Sequence, residues 1–127
     1  MKIESIKFKA KRLGNGEWVC GDLLHRITDI CIAVKDMDDI VYYPVDPATV
    51  CQFTGLKDCE GKEIWEGDIL EGESKYEIVF FKGTFATRFI NYNGKECVDP
   101  LHYFIKEDGT VECKVVGNKF DKVKRRR

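Results

Sequence analysis

The sequence predicts a mainly β protein: a small barrel or sandwich of short antiparallel strands with at most one or two short helical turns. Three observations point there. Apolar and polar residues alternate through many short stretches, the period of a half-buried strand. Asn15-Gly16, Asn93-Gly94 and Asp108-Gly109 are dipeptides of the type that closes tight hairpins. No stretch of helix length sustains an apolar period of about 3.6 residues.

Taken in order, Ile6 to Lys11 is the first strand. Ile6, Phe8 and Ala10 point inward and Lys7, Lys9 and Lys11 point to solvent. Gly14-Asn15-Gly16 turns the chain, and Trp18 to Leu24 returns. Ile27 to Val34 is an apolar, β-branched run expected to form a core strand. Asp36 to Asp39 is a turn. Ile40 to Tyr43 follows as a strand, ended by Pro44, which lacks the N–H a ladder needs. Asp46 suits a helix cap and Pro47 a first helical position, giving one helical or 3-10 turn. A turn is expected at Thr54-Gly55, a polar loop over Lys57–Lys62, and a bend at Glu66-Gly67-Asp68 that enters a new strand. Tyr76–Phe81 and Thr84–Tyr92 make a hairpin across Lys82-Gly83. Leu101–Ile105 reads equally well as strand or short helix, and Val111–Val116 reads as strand. Cys31 and Cys113 look like small buried hydrophobes within strands.

At 127 residues the chain fits one domain over 1–121, divisible into lobes 1–50 and 51–121, followed by a basic flexible tail, 122–127. Lys and Arg number 21 against 22 Asp and Glu, so the net charge is −1. That balance argues against strong non-specific nucleic-acid binding. The N-terminal Met1–Arg12 has no signal-like apolar run, and no stretch approaches the roughly 20 apolar residues of a membrane span. The expected location is the cytoplasm of a bacterial host, with no membrane partner. The 6 cysteines include no closely spaced pair, Cys51 and Cys59 being the nearest, which favours reduced thiols over structural zinc.

The stretch Val45-Asp46-Pro47-Ala48-Thr49-Val50-Cys51-Gln52-Phe53-Thr54-Gly55-Leu56-Lys57-Asp58, continued by Gly61-Lys62-Glu63-Ile64-Trp65-Glu66-Gly67-Asp68-Ile69, resembles the signature of the YopX-type family of phage and prophage proteins. Lys7-Phe8-Lys9-Ala10 with Trp18-Val19, and Val116-Gly117-Asn118, resemble its opening and closing strands, so the likeness spans about 4–121. The resemblance implies a mainly β fold and a mobile-element origin, and no reaction. Read physically, Gln52, Phe53, Thr54, Gly55, Gly61, Gly67 and Asp68 are the residue types of a strand-switching corner, with Gly55 expected at positive φ.

No catalytic, cofactor-binding or metal-binding residue is expected, and the protein is expected not to be an enzyme. His25 and His102 have no thiol ordered beside them, and Cys20 carries no mark of reactivity. The carboxylates Asp36, Asp38 and Asp39, and Glu63, Glu66, Asp68, Glu71 and Glu73, read as solvated turns rather than a metal-dependent hydrolase site. The function expected is protein association, as a homo-oligomer or with a host or phage protein. Trp18, Tyr42, Tyr43 and Trp65 are its interface candidates. The alternative is a small β-barrel that binds nucleic acid through Lys7, Lys9, Lys11 and Arg12 and the tail residues Lys124, Arg125, Arg126 and Arg127.

Overall fold

A computed structural model describes residues 2–121; the basic tail lies outside the described residues. The chain packs as two compact units, divided between Phe53 and Thr54. Among the described residues the regular elements are β-strands and short 3-10 turns.

The first unit opens with a 3-10 turn, Ile3–Ser5, followed by β1 (Phe8–Lys11), β2 (Trp18–His25), β3 (Ile30–Asp36) and β4 (Asp39–Pro44). A second 3-10 turn, Pro47–Thr49, leads into β5 (Cys51–Lys57). Its cap is the expected one: Asp46 accepts from the Ala48 N–H at 3.0 Å, with Pro47 at the first helical position. The strand order is β4-β3-β2-β1-β5, antiparallel throughout. Alternation sends Ala10, Ile32 and Val45 into the core, flanked by Phe8, Val19, Leu23, Ile30, Val34 and Val50.

Two sequence expectations change here. Ile6 is exposed and precedes β1. The apolar run from Ile27 does not start a strand: Ile27 is fully exposed in a turn that the Arg26 N–H closes onto the Asp29 carbonyl at 2.8 Å. The Asp29 carboxylate also accepts two bonds from the Arg26 guanidinium, at 2.7 and 2.8 Å. This local bidentate pair outweighs the β propensity of one isoleucine, so β3 begins only at Ile30.

The second unit takes the later residues of β5, β6 (Glu63–Trp65), β7 (Asp68–Glu71), β8 (Lys75–Phe81), β9 (Thr84–Ile90) and β10 (Glu96–Pro100). It closes with a 3-10 turn, Leu101–Phe104, and β11 (Lys114–Asn118). β6 lies beside β5, and a five-stranded antiparallel sheet runs β10-β9-β8-β7-β11. The core is Ile64, Leu70, Tyr76, Ile78, Leu101, Val111 and Cys113. Tyr76 meets Phe89 and Phe104 edge-on at 5.0 and 5.2 Å.

The mainly β expectation holds, and neither strand order closes into a barrel. Thr54-Gly55 is not a turn: β5 runs through it. Gly55 does take a positive φ, +85°, with open space where a Cβ would sit, so backbone angle rather than room demands glycine in this kinked strand. Leu101–Phe104 resolves as a helical turn that buries Leu101. Val111 forms an isolated bridge with Ile105 and donates its N–H to the Lys57 carbonyl at 2.8 Å, and β11 starts at Lys114. Cys113 is therefore buried as expected but lies before the strand.

Candidate association surfaces

The polar residues of the long signature hold backbone. Thr54 donates its hydroxyl to the Ile64 carbonyl at 2.8 Å and accepts from the Leu56 N–H at 3.1 Å. Asp68, buried, accepts from the Trp65 N–H at 2.7 Å and the Asn118 side-chain amide at 2.9 Å. Gly67, at φ +88°, donates to the Ile78 carbonyl and accepts from the Lys119 N–H, both at 2.8 Å. Gln52 sits opposite Phe8 in the ladder, and Phe53 is buried.

The sequence places Asp58 in a polar loop and gives it no structural role. Asp58 is 1% exposed and accepts three backbone N–H bonds at 2.8 Å, from Glu60, Lys62 and Val115. Burial pushes its carboxyl up, but these donors outweigh that and hold it below the usual aspartate value. A signal was present: Asp58 followed three residues later by Gly61, at φ +83°, is the pattern of an aspartate-initiated turn.

The basic residues of the first strand lie on one side of the chain, as alternation predicts, and over aromatic rings. The Lys7 ammonium is 4.8 Å from the Phe53 ring centre, and those of Lys9 and Lys11 are 4.6 and 5.4 Å from Trp18. The Arg12 guanidinium is 4.5 Å from Tyr43. Each such contact contributes about 0.5–1 kcal/mol at an exposed site. Of the four aromatic interface candidates, Trp65 is buried in the second unit, and Trp18 and Tyr43 are half-buried beneath these cations. Tyr42 alone is exposed, at 47%.

Exposed apolar side chains are spread along the described residues, Ile27, Tyr92 and Tyr103 among them, and two hairpins carry several. In the first unit, β3 and β4 are joined through Met37-Asp38 and present Met37, Ile40 and Tyr42. Ladder register explains the pair on β4: Val41 and Tyr43 stand opposite Val34 and Ile32 on the core side, whereas Ile40 and Tyr42 stand opposite Lys35 and Ala33 on the other face. In the second unit, β8 and β9 turn at Lys82-Gly83, both at positive φ, and present Phe80 and Phe81. Phe80 packs edge-on against Phe85 at 5.2 Å.

The titratable groups are dispersed. Glu77 on β8 is bonded by Arg88 at 2.7 Å and Lys119 at 3.1 Å; burial raises its carboxyl, and the two cations more than offset that. His25 and His102 are exposed, the latter edge-on to Tyr103. Among the described residues, no group of three or more His, Cys, Asp or Glu side chains could hold a metal ion, and no helix is long and apolar enough to cross a membrane. Burial pushes the Cys31 and Cys113 thiols up, away from the reactive thiolate. An aromatic-disulfide titration of the native chain should accordingly label Cys20 and Cys59 first and Cys97 more slowly. Cys31, Cys51 and Cys113 should react only on unfolding. Rapid native labelling of Cys113 would contradict the packing described.

Fold and signature define a mainly β protein whose glycine and aspartate corners are architectural. The family model described as YopX protein matches residues 4–124, nearly the whole chain. The chain belongs to the YopX family. No curated protein matches it.

Proposed function

We propose that this is a phage- or prophage-derived accessory protein that catalyses no reaction and acts by associating with protein, either itself or a phage or host partner. Its site of action is the cytoplasm of the bacterial host, and it needs no cofactor. The supporting observation is that two hairpins carry exposed large apolar side chains, Ile40 and Tyr42 at 54% and 47% on one and Phe80 and Phe81 at 54% and 44% on the other. Exposed aromatic and aliphatic groups are the residue types that interfaces desolvate. The family assignment agrees with a mobile-element origin. In the competing nucleic-acid reading, Lys7, Lys9, Lys11 and Arg12 would have to exchange their aromatic contacts for phosphates.

The test combines sedimentation velocity of the full chain across the micromolar range, affinity capture from phage-infected and uninfected cells, and fluorescence polarisation with labelled single strands at low salt. The expected result is self-association or a stoichiometric captured protein, with no oligonucleotide binding. A strictly monomeric chain that captures nothing overturns the proposal. Tight, salt-sensitive oligonucleotide binding would move the function to nucleic acid.

A further inference from the structure

We propose that the second unit carries a pocket for an arginine side chain presented by a protein partner. This rests on the association reading and supplies the chemistry of the partner. The pocket is a cavity of about 420 Å³ lined by Gly72, Glu73, Tyr76, Phe104, Glu112 and Cys113. That volume lies within the range of small-ligand sites.

Local structure fixes each wall. The Gly72 N–H donates to the Ser74 carbonyl at 2.9 Å, closing the turn between β7 and β8 that presents Glu73. The Glu112 N–H donates to the Phe104 carbonyl at 3.0 Å, which holds the segment before β11 beside the last 3-10 turn. Tyr76 and Phe104, edge-on at 5.2 Å, supply an aromatic wall. Gly72 makes room for the Cys113 thiol, since a Cβ there would stand 2.8 Å from the sulfur. The neighbouring lysines do not serve this cavity. Lys75 and Lys114 both stand opposite Glu71 in the ladder, whereas Tyr76 stands opposite Leu70 on the core side. Alternation therefore sends Glu71, Lys75 and Lys114 to the other face of the sheet.

The unpartnered groups of the cavity are acceptors. Among the described residues neither Glu73 nor Glu112 forms an ion pair. The Cys113 thiol is buried, its residue 4% exposed, and has no hydrogen-bond partner among the described residues. Burial first, then Glu112, Cys59 and Glu73, pushes that thiol up, so the charge of both carboxylates is felt inside the cavity. Two carboxylates and a sulfur, which is a weak acceptor, match a ligand that is all donor. Guanidinium is rich in N–H donors and has no acceptor, pairs with carboxylates two bonds at a time, and lies flat against aromatic rings. An ammonium is a strongly hydrated point charge and uses less of such a wall. The cavity does not suit a metal ion, because no group of three or more His, Cys, Asp or Glu among the described residues could hold one. Arginine is also among the side chains that anchor protein interfaces.

The experiment is an amide NMR titration of the full-length chain with the blocked tripeptide acetyl-Gly-Arg-Gly-amide. The matching lysine and citrulline tripeptides and free arginine are the comparisons. The arginine peptide should give saturable shifts at the amides of Gly72, Glu73, Glu112 and Cys113, with a Kd in the millimolar range expected of one side chain. Citrulline, the same shape without the charge, should give none, and lysine should bind several-fold more weakly. Glu73→Gln and Glu112→Gln, both at exposed positions, should each weaken the arginine peptide roughly tenfold, because each loses a charge-assisted bond. No saturable shift at these residues, or shifts that both variants leave unchanged, overturns the pocket; association, read separately by sedimentation and capture, then still stands. Lysine binding as tightly as arginine overturns the guanidinium assignment. Free arginine binding more tightly than the blocked peptide overturns the protein source. A chain that binds the arginine peptide here but neither self-associates nor captures a protein overturns the association reading and leaves the cation pocket.

Discussion

Replacing Asp58 by alanine is expected to destabilise the protein by about 3 kcal/mol in urea unfolding, because three backbone N–H groups lose a charged acceptor that is 1% exposed. Asp58→Asn, which keeps one acceptor oxygen and the shape, should show a smaller loss, about half as large. The carboxyl titrates below its ordinary value in the folded chain, so the unfolded state binds the proton more readily. The stabilisation is complete above the usual aspartate pKa of about 4 and is lost as pH falls through the lower folded value. The stability gap between wild type and Asp58→Asn should therefore be widest near neutral pH and narrow on acidification through that window. A gap that stays constant into strong acid would show that the charge contributes nothing.

The first unit has a comparable weak point at Gly21. A Cβ built there would sit 2.3 Å from the Ala33 carbonyl oxygen and 3.1 Å from Ile32 Cγ2. A carbonyl held in the β2–β3 ladder cannot swing aside as a flexible side chain can, so the strands themselves must move apart. Gly21→Ala should lower stability by about 3 kcal/mol, the upper range for overpacking, and shift the thermal midpoint down by several degrees. Gly14→Ala is the control: nothing lies within 4 Å of its Cβ position, and it should be nearly neutral. Equal midpoints for the two variants would mean that β2 and β3 are not packed as described.

Much of this fold is local and therefore legible in the sequence. Alternation located β1, β2, β4, β8 and β9, and the Asp46-Pro47 pair located a 3-10 turn, because side-chain period and capping depend on near neighbours. The misses depended on distant ones. A glycine at positive φ looks the same in a turn and in a kinked strand; at Gly55 the choice was made by the neighbours of β5, β1 and β6. Asp58 could be recognised as a turn former, but its third donor, the Val115 N–H, lies 57 residues away. The candidate surface divided the same way. The outward direction of Lys7, Lys9, Lys11 and Tyr42 followed from alternation. Their differing fates did not: the lysines lie across Phe53 and Trp18, whereas Tyr42 occupies an outer strand whose position only the sheet order reveals.

Self-association can be observed at single amides. Hydrogen exchange of the full chain at two protein concentrations should show amides of the β3–β4 or β8–β9 hairpin slowing as concentration rises, while amides of the buried ladder do not respond. Exchange that is equally fast at both concentrations, in a chain that sediments as a monomer and captures no protein, would contradict the account.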